Sequence, residues 1–301
     1  IALAIHDETG KYACHAGATL ASVFVNTAQP VCAHILHDDT LTLVNRERLE
    51  RIGQAAGKKV RFCQIRLPKI LEDIKAGPFT IGTLYRLLMP EMLAAERVLY
   101  LDCDLIADLD IAELWNEPLH DHPLAAVLDT GVKGLDLDHQ RRLRRAGLSL
   151  DLYFNAGVMI LDLARIRRDQ DLVSSFLPFL QHFPESLMVD QDYLNWVFQD
   201  NYCCLLEKYN TLVKRYRNMD KVNRKIWHYS GQKPWVRYES PTDALYWRAL
   251  ALTPWRDEAL DGLLGAVDTK MRLLLNSRSW RMTQPYRAAG HWMRSHLGWF
   301  R

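Results

Sequence analysis

Two aspartates that follow a short apolar segment are the residues of this sequence best placed to do chemistry. Asp102 and Asp104 come directly after Val98–Leu101, a run of the type that forms a buried strand. Alternate residues of a strand point to the same side, so both carboxylates are expected to face the crevice beyond the strand's carboxyl end. Open α/β sheets bind ligands in that crevice. Carboxylate oxygens suit a divalent cation that clamps a diphosphate, so the segment predicts a metal and nucleotide site.

The Asp-x-Asp pattern alone is weak support for a metal, because it occurs five times in this chain. The pair that begins at Asp108 fits the start of a helix, where carboxylates interact favourably with the helix dipole. The pairs that begin at Asp136 and Asp169 lie among arginines and polar neighbours, and we interpret them as structural. Only the pair that begins at Asp102 directly follows a buried-strand pattern, so the metal prediction is restricted to it.

Two later segments set small and polar residues beside apolar runs. In Phe154–Ile160, Asn155 offers a donor and an acceptor, and the small Ala156 and Gly157 would let a ligand approach the backbone. A turn at the entry to a strand explains these residues equally well when the segment is taken alone. In Val189–Asn195, three polar groups stand at a predicted helix start, where capping is the simplest interpretation.

Cations also occur at positions where they could meet phosphate. The segment Trp227–Trp235 contains His228, Gly231 and Lys233. A single histidine in apolar surroundings is usually a core residue with its hydrogen bonds satisfied, but the glycine and lysine that follow suit the phosphate end of a metal site. Upstream, Arg86 lies in a largely apolar predicted helix, where an unpaired charge would be costly.

Two common nucleotide-binding loops are absent from the sequence. It contains no Gly-x-x-x-x-Gly-Lys-Ser/Thr loop and no Gly-x-Gly-x-x-Gly after a strand. A P-loop kinase and a dinucleotide dehydrogenase therefore lose their main support. A bound nucleotide would need a metal and discrete cations to meet its phosphate charge.

The elements that must position these residues follow from an alternation of strand-like and helical segments. The predicted strands are Ile1–Ile5, Ala33–Leu36, Val60–Ile65, Val98–Leu101, Leu124–Leu128 and Val158–Leu161. Helices are predicted at His15–Asn26 and Asn45–Ala56. The alternation predicts an α/β fold with a mixed, mostly parallel sheet and helices on both faces. It stops near Pro241–Pro254, which predicts a domain of residues 1–250 and a short helical basic extension of residues 251–301.

The end of the chain is basic and aromatic. From Lys270 onward the sequence has seven basic residues and no acidic one, although the whole chain has a net charge of only +2. Trp280, Tyr286, Trp292, Trp299 and Phe300 lie among them. Aromatic rings interleaved with cations favour the surface of an anionic membrane. A helical hairpin packed on the main domain is the alternative, and no motif supports nucleic-acid binding.

Bulk properties bound the location of the protein. No stretch of 18 or more apolar residues occurs, so no membrane-spanning helix is predicted. The six cysteines show no Cys-x-x-Cys spacing, and several lie inside apolar runs. A reducing compartment is the simpler interpretation. The sequence therefore predicts a cytoplasmic protein with a peripheral association with the inner face of the cytoplasmic membrane.

Taken in order, the motifs resemble glycosyltransferase family 8, the retaining galactosyl- and glucosyltransferases that include bacterial lipopolysaccharide enzymes. The resemblance runs from about Ile1 to Trp235 and rests on the strand-borne Asp-x-Asp, Phe-Asn-Ala-Gly, Asp-Gln-Asp and His-Tyr-x-Gly-x-Lys-Pro-Trp. It implies a GT-A fold, with a Rossmann-like nucleotide-sugar domain, and manganese held by Asp102, Asp104 and His228. The ligand types agree, because two carboxylates suit Mg²⁺ or Mn²⁺ and an imidazole favours the transition metal.

The resemblance also implies roles for matching positions. The positions it assigns to catalysis are Asp129, Asp190 and Gln191. The positions it assigns to binding the nucleotide sugar are Asp7, Tyr12, Arg86, Asn155, Ala156, Gly157, Gly231 and Lys233. Asp7 resembles the residue that meets the uracil or ribose, although the segment from Asp7 to Tyr12 is longer than the family's usual pattern.

The implied reaction moves a hexose from UDP-galactose or UDP-glucose to a glycan or glycolipid acceptor. Gln191, which the resemblance puts near the anomeric carbon, is a poor nucleophile because its amide is neutral. Front-side attack, with the leaving phosphate accepting the acceptor's proton, is therefore favoured over a covalent intermediate. The rival hypotheses are a sugar nucleotidyltransferase, a non-catalytic membrane-surface module and a glycogenin-like self-glucosylating initiator, although the glycine-rich basic loop expected of the first is missing.

Overall fold

The computed structural model describes residues 1–72, 80–213, 224–231, 233–236 and 242–287. Its strands are β1 (Ala2–Ile5), β2 (Cys32–His37), β3 (Lys59–Gln64), β4 (Arg97–Leu101), β5 (Leu105–Ala107), β6 (Leu124–Leu128), β7 (Phe154–Asp162), β8 (Cys203–Cys204), β9 (Thr211–Leu212) and β10 (Ile226–His228). Its α-helices are α1 (Ala13–Asn26), α2 (Leu43–Ala56), α3 (Lys69–Glu72), α4 (Met89–Met92), α5 (Ile111–Trp115), α6 (Leu137–Arg145), α7 (Leu163–Asp169), α8 (Phe176–His182), α9 (Val189–Phe198), α10 (Asp243–Ala251), α11 (Arg256–Asn276) and α12 (Arg278–Met282). Short 3₁₀ helices occupy Ile81–Leu88, Val132–Gly134 and Glu207–Tyr209.

Seven of the strands form one sheet in the order β3-β2-β1-β4-β7-β6-β8. Parallel pairing joins β1 to β2 and β4, β2 to β3, and β6 to β8, whereas β7 runs antiparallel to β4 and β6. The prediction of a mixed, mostly parallel sheet is confirmed. The two antiparallel pairings place β7 in the middle of the sheet, directly beside the strand that ends at the aspartate pair.

Helices cover both faces of this sheet, and the strands show why. In β4, Leu99 and Leu101 face one apolar cluster, and Val98 and Tyr100 face the other. Successive residues of a strand point to opposite faces, so a strand buried on both sides reads as a continuous apolar run. The helices α1 and α10 belong to the first cluster, and the 3₁₀ helix at Ile81–Leu88, with α8 and α9, belongs to the second.

The predicted strands and helices are found close to their predicted ends, with one informative difference. The strand predicted at Val158–Leu161 begins at Phe154. The pairing register of β7 with β6 changes between Ala126, which pairs with Met159, and Val127, which pairs with Asn155. The three residues between Asn155 and Met159 have no partner in β6, so this part of β7 is free to bulge toward the end of β4.

A second, three-stranded sheet in the order β5-β10-β9 lies at the carboxyl end of β4. Its central strand, β10, pairs antiparallel with β5, so that His228 is opposite Leu105. The amide of Tyr229 also donates to the carbonyl of Asp104 at 3.0 Å. This pairing brings a distant segment of the chain to the residues that follow β4.

The segment around the predicted boundary at residue 250 packs on the sheet domain through α10 and Trp255. A Cβ at Gly17 of α1 would lie 2.7 Å from the ring of Trp255, so only glycine allows this close approach. From Arg256 onward most described side chains are exposed. The predicted helical character of the extension is confirmed by α11 and α12, and its basic residues Arg294 and Arg301 lie outside the described residues. None of the described helices combines the length and apolar character needed to cross a bilayer.

Candidate metal centre and active site

Three potential metal ligands converge where β4 ends. The Nε2 atom of His228 lies 3.4 Å from Oδ1 of Asp104 and 3.9 Å from Oδ2 of Asp102. One ligand atom from each residue lies within 4.8 Å of the other two. Two atoms bound to one ion at about 2.1 Å each are at most about 4.2 Å apart, so the distances of 3.4 and 3.9 Å from the imidazole fit a common cation. The sequence-predicted ligand set is brought together in space.

The imidazole of His228 is held in the orientation that a metal ligand needs. Its Nδ1 atom lies 2.9 Å from Oδ1 of Asn210, and Nδ2 of Asn210 donates to Oδ1 of Asn155 at 2.8 Å. Because the amide nitrogen of Asn210 faces Asn155, its oxygen faces the ring and accepts the Nδ1 proton. Nε2 is then left with its lone pair directed to the two aspartates.

Gly157 provides the space in which these ligands meet. A Cβ atom at this position would lie 2.5 Å from Cε1 of His228 and 2.7 Å from Oδ2 of Asp102. The carbonyl of Gly157 also accepts a hydrogen bond from the amide of Asp102 at 2.8 Å. Gly157 was predicted to let a ligand approach the backbone, and its lack of a side chain leaves space for the imidazole of His228 and the carboxylate of Asp102.

Arg86 is buried and bonded to the acidic groups of the site. Its Nη2 donates to Oδ1 of Asp102 at 2.8 Å, its Nη1 donates to the carbonyl of Ala156 at 2.7 Å, and its Nε lies 3.1 Å from Oδ2 of Asp190. The hydroxyl of Tyr100 donates to the same oxygen of Asp102 at 2.8 Å. Oδ1 of Asp102 is thereby occupied, and Oδ2 is the atom that faces His228.

Asp190 is the second partner of the arginine. The residue is only 5% exposed, and its burial raises the pKa of its carboxyl from 3.8 to about 6, against the opposing charge of Arg86. Its placement near the first residues of α9 matches the predicted helix start. Asp190 and Arg86 therefore join α9 to the end of β4 by a buried ion pair.

Asp129, Asn155 and Gln191 form a polar group joined by hydrogen bonds. Oδ2 of Asp129 accepts from Nδ2 of Asn155 at 3.0 Å and from Nε2 of Gln191 at 3.1 Å. Oε1 of Gln191 accepts the amide of Ala156 at 2.9 Å. Through Asn210, a continuous set of hydrogen bonds runs from the imidazole of His228 to the amide of Gln191.

The segment that follows β10 places the ammonium of Lys233 beside Asp104. The ammonium of Lys233 contacts a carboxylate oxygen of Asp104 and donates to the carbonyl of Tyr229 at 2.9 Å. Burial alone would raise the pKa of Asp104, but chiefly the charge of the neighbouring Lys233 ammonium holds it below its ordinary value. Gly231 has φ +93°, a conformation that favours glycine.

The predicted base-binding residues lie at the end of β1. Asp7 is buried, and its Oδ1 accepts the amides of Tyr12 at 2.6 Å and Ala13 at 3.2 Å, while its Oδ2 accepts Nδ2 of Asn45 at 2.8 Å. Both oxygens of Asp7 thus hold the long loop and the start of α1. Tyr12 precedes α1, and 37% of its surface is exposed. The base-binding roles of both residues stay predictions.

Two residues of the site were missed by the sequence analysis. Tyr100 precedes Asp102 by two positions in the strand pattern, so its side chain shares the face of that aspartate and could have been recognised. Asn210 lies in a short polar stretch without any motif. Only its contacts with His228 and Asn155 identify it.

The comparisons with known proteins agree with this geometry. The family model described as Glycosyl transferase family 8 matches residues 2–239. General stress protein A of Bacillus subtilis (strain 168) is 25% identical over 269 residues, which make up 81% of this chain and 91% of that protein. Lipopolysaccharide 1,2-glucosyltransferase of Escherichia coli (strain K12) is 29% identical over 194 residues, or 60% of this chain and 56% of that protein.

A solved structure shows the same fold. The crystal structure of galactosyltransferase LgtC in complex with donor and acceptor sugar analogues superposes with a TM-score of 0.74 and 23% identity, covering 85% of this chain and 98% of that chain. The seven-stranded sheet is therefore that of a GT-A fold. Because the family model covers the whole sheet domain and every residue of the candidate metal centre, the chain belongs to glycosyltransferase family 8.

Proposed function

We propose that this protein is a metal-dependent, retaining hexosyltransferase that moves galactose or glucose from a UDP-sugar to a glycan or glycolipid acceptor. Membership of the family supports glycosyl transfer. The likeness to lipopolysaccharide 1,2-glucosyltransferase supports a hexose and a role in lipopolysaccharide or surface polysaccharide synthesis. The observation that carries the metal dependence is the convergence of Asp102, Asp104 and His228.

The donor set fits Mn²⁺, and Mg²⁺ is the alternative. Two carboxylates suit both ions, and an imidazole with a free Nε2 favours the transition metal. When bound, the ion would act as a Lewis acid that neutralises the negative charge developing on the departing UDP. Tyr100 and Arg86 contribute by holding Oδ1 of Asp102, which keeps Oδ2 directed to the ion.

Lys233 is the chain's own electrostatic group for the leaving diphosphate. Its ammonium contacts Asp104, and its side chain is 29% exposed, so an incoming diphosphate can reach it. A lysine in this position stabilises charge that increases as the bond to the sugar breaks. Trp235 stacks on His15, with ring centroids 3.6 Å apart, and this stacking fixes the end of the segment that carries Lys233.

Front-side attack is supported by the side chains of Gln191 and Asp190, the two groups predicted to lie nearest to the anomeric carbon, because neither is a free nucleophile. The amide of Gln191 is neutral, and hydrogen bonds occupy both its oxygen and its nitrogen. The carboxylate of Asp190 is paired with Arg86. Neither group is a free nucleophile, so the acceptor hydroxyl attacks on the face that UDP leaves, and the departing phosphate takes its proton. A trapped glycosyl adduct on either side chain would contradict this mechanism.

The test is release of UDP from a panel of UDP-sugars with Mn²⁺ or with a chelator. We expect slow hydrolysis of UDP-galactose or UDP-glucose with the metal and none without it. A sugar nucleotidyltransferase would instead require a nucleoside triphosphate, and a non-catalytic module would release nothing. Absence of UDP release from every sugar, by protein that stays folded, would contradict the proposal.

We further infer that residues 251–301 bind the inner face of an anionic cytoplasmic membrane. An exposed apolar stripe on α11 supports this inference, and it consists of Leu260, Leu264, Val267, Met271 and Leu274. Lys270, Arg278 and Arg281 are also exposed. A helix with an apolar face and nearby cations lies in the headgroup region. Sedimentation with neutral and with anionic lipid vesicles tests this, and equal binding to both would contradict it.

A further inference from the structure

A cleft of about 440 Å³ opens beside the candidate active site, and we refer to it as the basic cleft. Its lining residues are Lys133, Gln140, Arg144, Ser149, Leu150 and Asp151. They come from the 3₁₀ helix after β6, from α6, and from the connection between α6 and β7. Three separate stretches of chain thus form its walls.

The lining of the basic cleft carries two cations, Lys133 and Arg144, and one carboxylate, Asp151. Residues 131–151 contain five basic and three acidic side chains, and four of the basic ones are the arginines of α6. Arg142 is paired with Asp138 at 2.5 Å, and Lys133 with Asp151 at 2.6 Å. Arg144 is exposed and, among the described residues, has no ion-pair partner.

The helix dipole of α6 explains only some of the positive charges around the basic cleft. Arginines in the last turn of a helix interact favourably with its dipole, which accounts for Arg144 and Arg145 as members of α6. It does not account for Lys133, which faces the cleft from another element. The contact with Lys133, together with the charge of Arg144, lowers the pKa of Asp151, as expected of a carboxylate placed between two cations.

The walls of the basic cleft are fixed by hydrogen bonds rather than by the charged groups. Nε2 of Gln140 donates to the carbonyls of Leu135 at 2.8 Å and Lys133 at 3.1 Å. Gln199, from the end of α9, accepts the amide of Ser149 at 2.8 Å and donates to the carbonyl of Gly147 at 2.8 Å. A ligand therefore meets a formed cleft and does not have to order it.

The basic cleft is connected to the polar group of the active site by two short stretches of chain. Lys133 follows Asp129 by four positions, and Asp151 precedes Asn155 by four positions. Four residues reach at most about 14 Å. Asp129 and Asn155 are hydrogen-bonded to each other at 3.0 Å, so both approaches lead to the same point. A group bound in the cleft thus lies within the length of a short oligosaccharide from the site of transfer.

We propose that the basic cleft binds an anionic substituent, a phosphate or carboxylate group, on the acceptor of this enzyme. The inference rests on the proposed glycosyl transfer and names the class of acceptor. Arg144 presents a planar guanidinium that suits two oxygens of such a group, and Lys133 adds a point charge from a different element. The exposed pair of Lys133 and Asp151 is weak enough to open for a phosphate.

The test compares glucose 6-phosphate, glucose and inorganic phosphate as probes in protein saturated with Mn²⁺ and UDP, so that the donor site is filled. Calorimetry or saturation-transfer NMR measures the affinity of each probe. We expect glucose 6-phosphate to bind at least ten-fold more tightly than glucose. Arg144→Gln and Lys133→Gln should each remove most of this difference.

Arg51→Gln is the matched control, because it removes one exposed arginine from α2, on the far side of the sheet. It should leave the difference unchanged, and thermal melting checks that all three variants are folded. Equal affinity for glucose and glucose 6-phosphate would overturn the proposal. Inorganic phosphate binding as tightly as glucose 6-phosphate would also overturn it, because the cleft would then hold free anions only. Failure of UDP and Mn²⁺ to bind is a separate result, which refutes the proposed function.

Discussion

Asn210 is the residue whose substitution most directly tests the architecture of the metal centre. It is 3% exposed, its oxygen accepts from Nδ1 of His228, and its nitrogen donates to Asn155. Asn210→Leu keeps a similar volume and removes both hydrogen bonds. The imidazole then loses the group that sets its tautomer and its direction, while the three metal ligands remain present.

The expected effect on metal binding follows from the role of such partners. Loss of a hydrogen-bond partner of a metal-ligating histidine typically lowers metal affinity about 10- to 100-fold, or about 1.4–2.8 kcal/mol. The free energy of unfolding should fall as well. The buried Nδ1 group of His228, left without its partner, costs about 1–3 kcal/mol, whereas Oδ1 of Asn155 still accepts the amide of Gly157 at 2.9 Å.

The assay is a Mn²⁺ titration followed by electron paramagnetic resonance, with urea unfolding of the same samples. Asn201→Leu is the control, because Asn201 accepts from Nδ1 of His122 at 2.9 Å in an exposed pair remote from the metal ligands. It removes the same type of hydrogen bond and should leave the Mn²⁺ affinity unchanged.

A second variant separates the two hydrogen bonds of this residue. Asn210→Asp keeps an acceptor for His228 but cannot donate to Asn155. We expect it to retain Mn²⁺ affinity and to lose UDP-sugar hydrolysis, because the link to Asp129 is weakened. If folded Asn210→Leu bound Mn²⁺ within about two-fold of the unsubstituted protein, the imidazole would not depend on this contact and the reasoning would be refuted.

Three further predictions concern the same site. Asp104→Asn should lower Mn²⁺ affinity by more than the roughly 100-fold expected when a ligand loses its hydrogen-bond partner. It should also stop UDP release without changing the melting temperature, and normal turnover would exclude the metal assignment. Gly157→Ala should weaken Mn²⁺ binding and lower the free energy of unfolding by about 1–3 kcal/mol, measured by urea unfolding, because its Cβ would lie 2.5 Å from His228; unaltered values for both would contradict the crowding. Burial raises the pKa of Asp190 from 3.8 to about 6, so the folded protein binds the proton of this carboxyl more tightly than the unfolded chain does. The stability that the protonated carboxyl contributes is therefore complete below pH 4 and is lost as the pH rises through 6. Asp190→Asn should therefore stabilise the metal-free protein by up to about 3 kcal/mol at pH 7 and not at pH 4; an equal effect in urea unfolding at both values would refute the burial argument.

The fold and the first half of the metal centre were accessible from the sequence because their signals are local. A run such as Val98–Leu101 reports burial on both faces of a strand, and a period of two residues puts Asp102 and Asp104 on one side. The cap of α5 by Asp110 follows an equally local rule. The resemblance to the family then supplied His228, which no pattern near the aspartates could indicate.

The tertiary structure alone decided how these parts meet. The pairing of β10 with β5 sets His228 beside Asp104, and strand pairing between distant segments depends on the whole fold rather than on local sequence. The register shift between β6 and β7 releases Gly157 to sit against the imidazole. Asn210 and the charged walls of the basic cleft have no spacing that predicts them, because their roles consist only of contacts. Residue types and periodicity thus determined which chemistry this chain can perform, and long-range packing determined where it takes place.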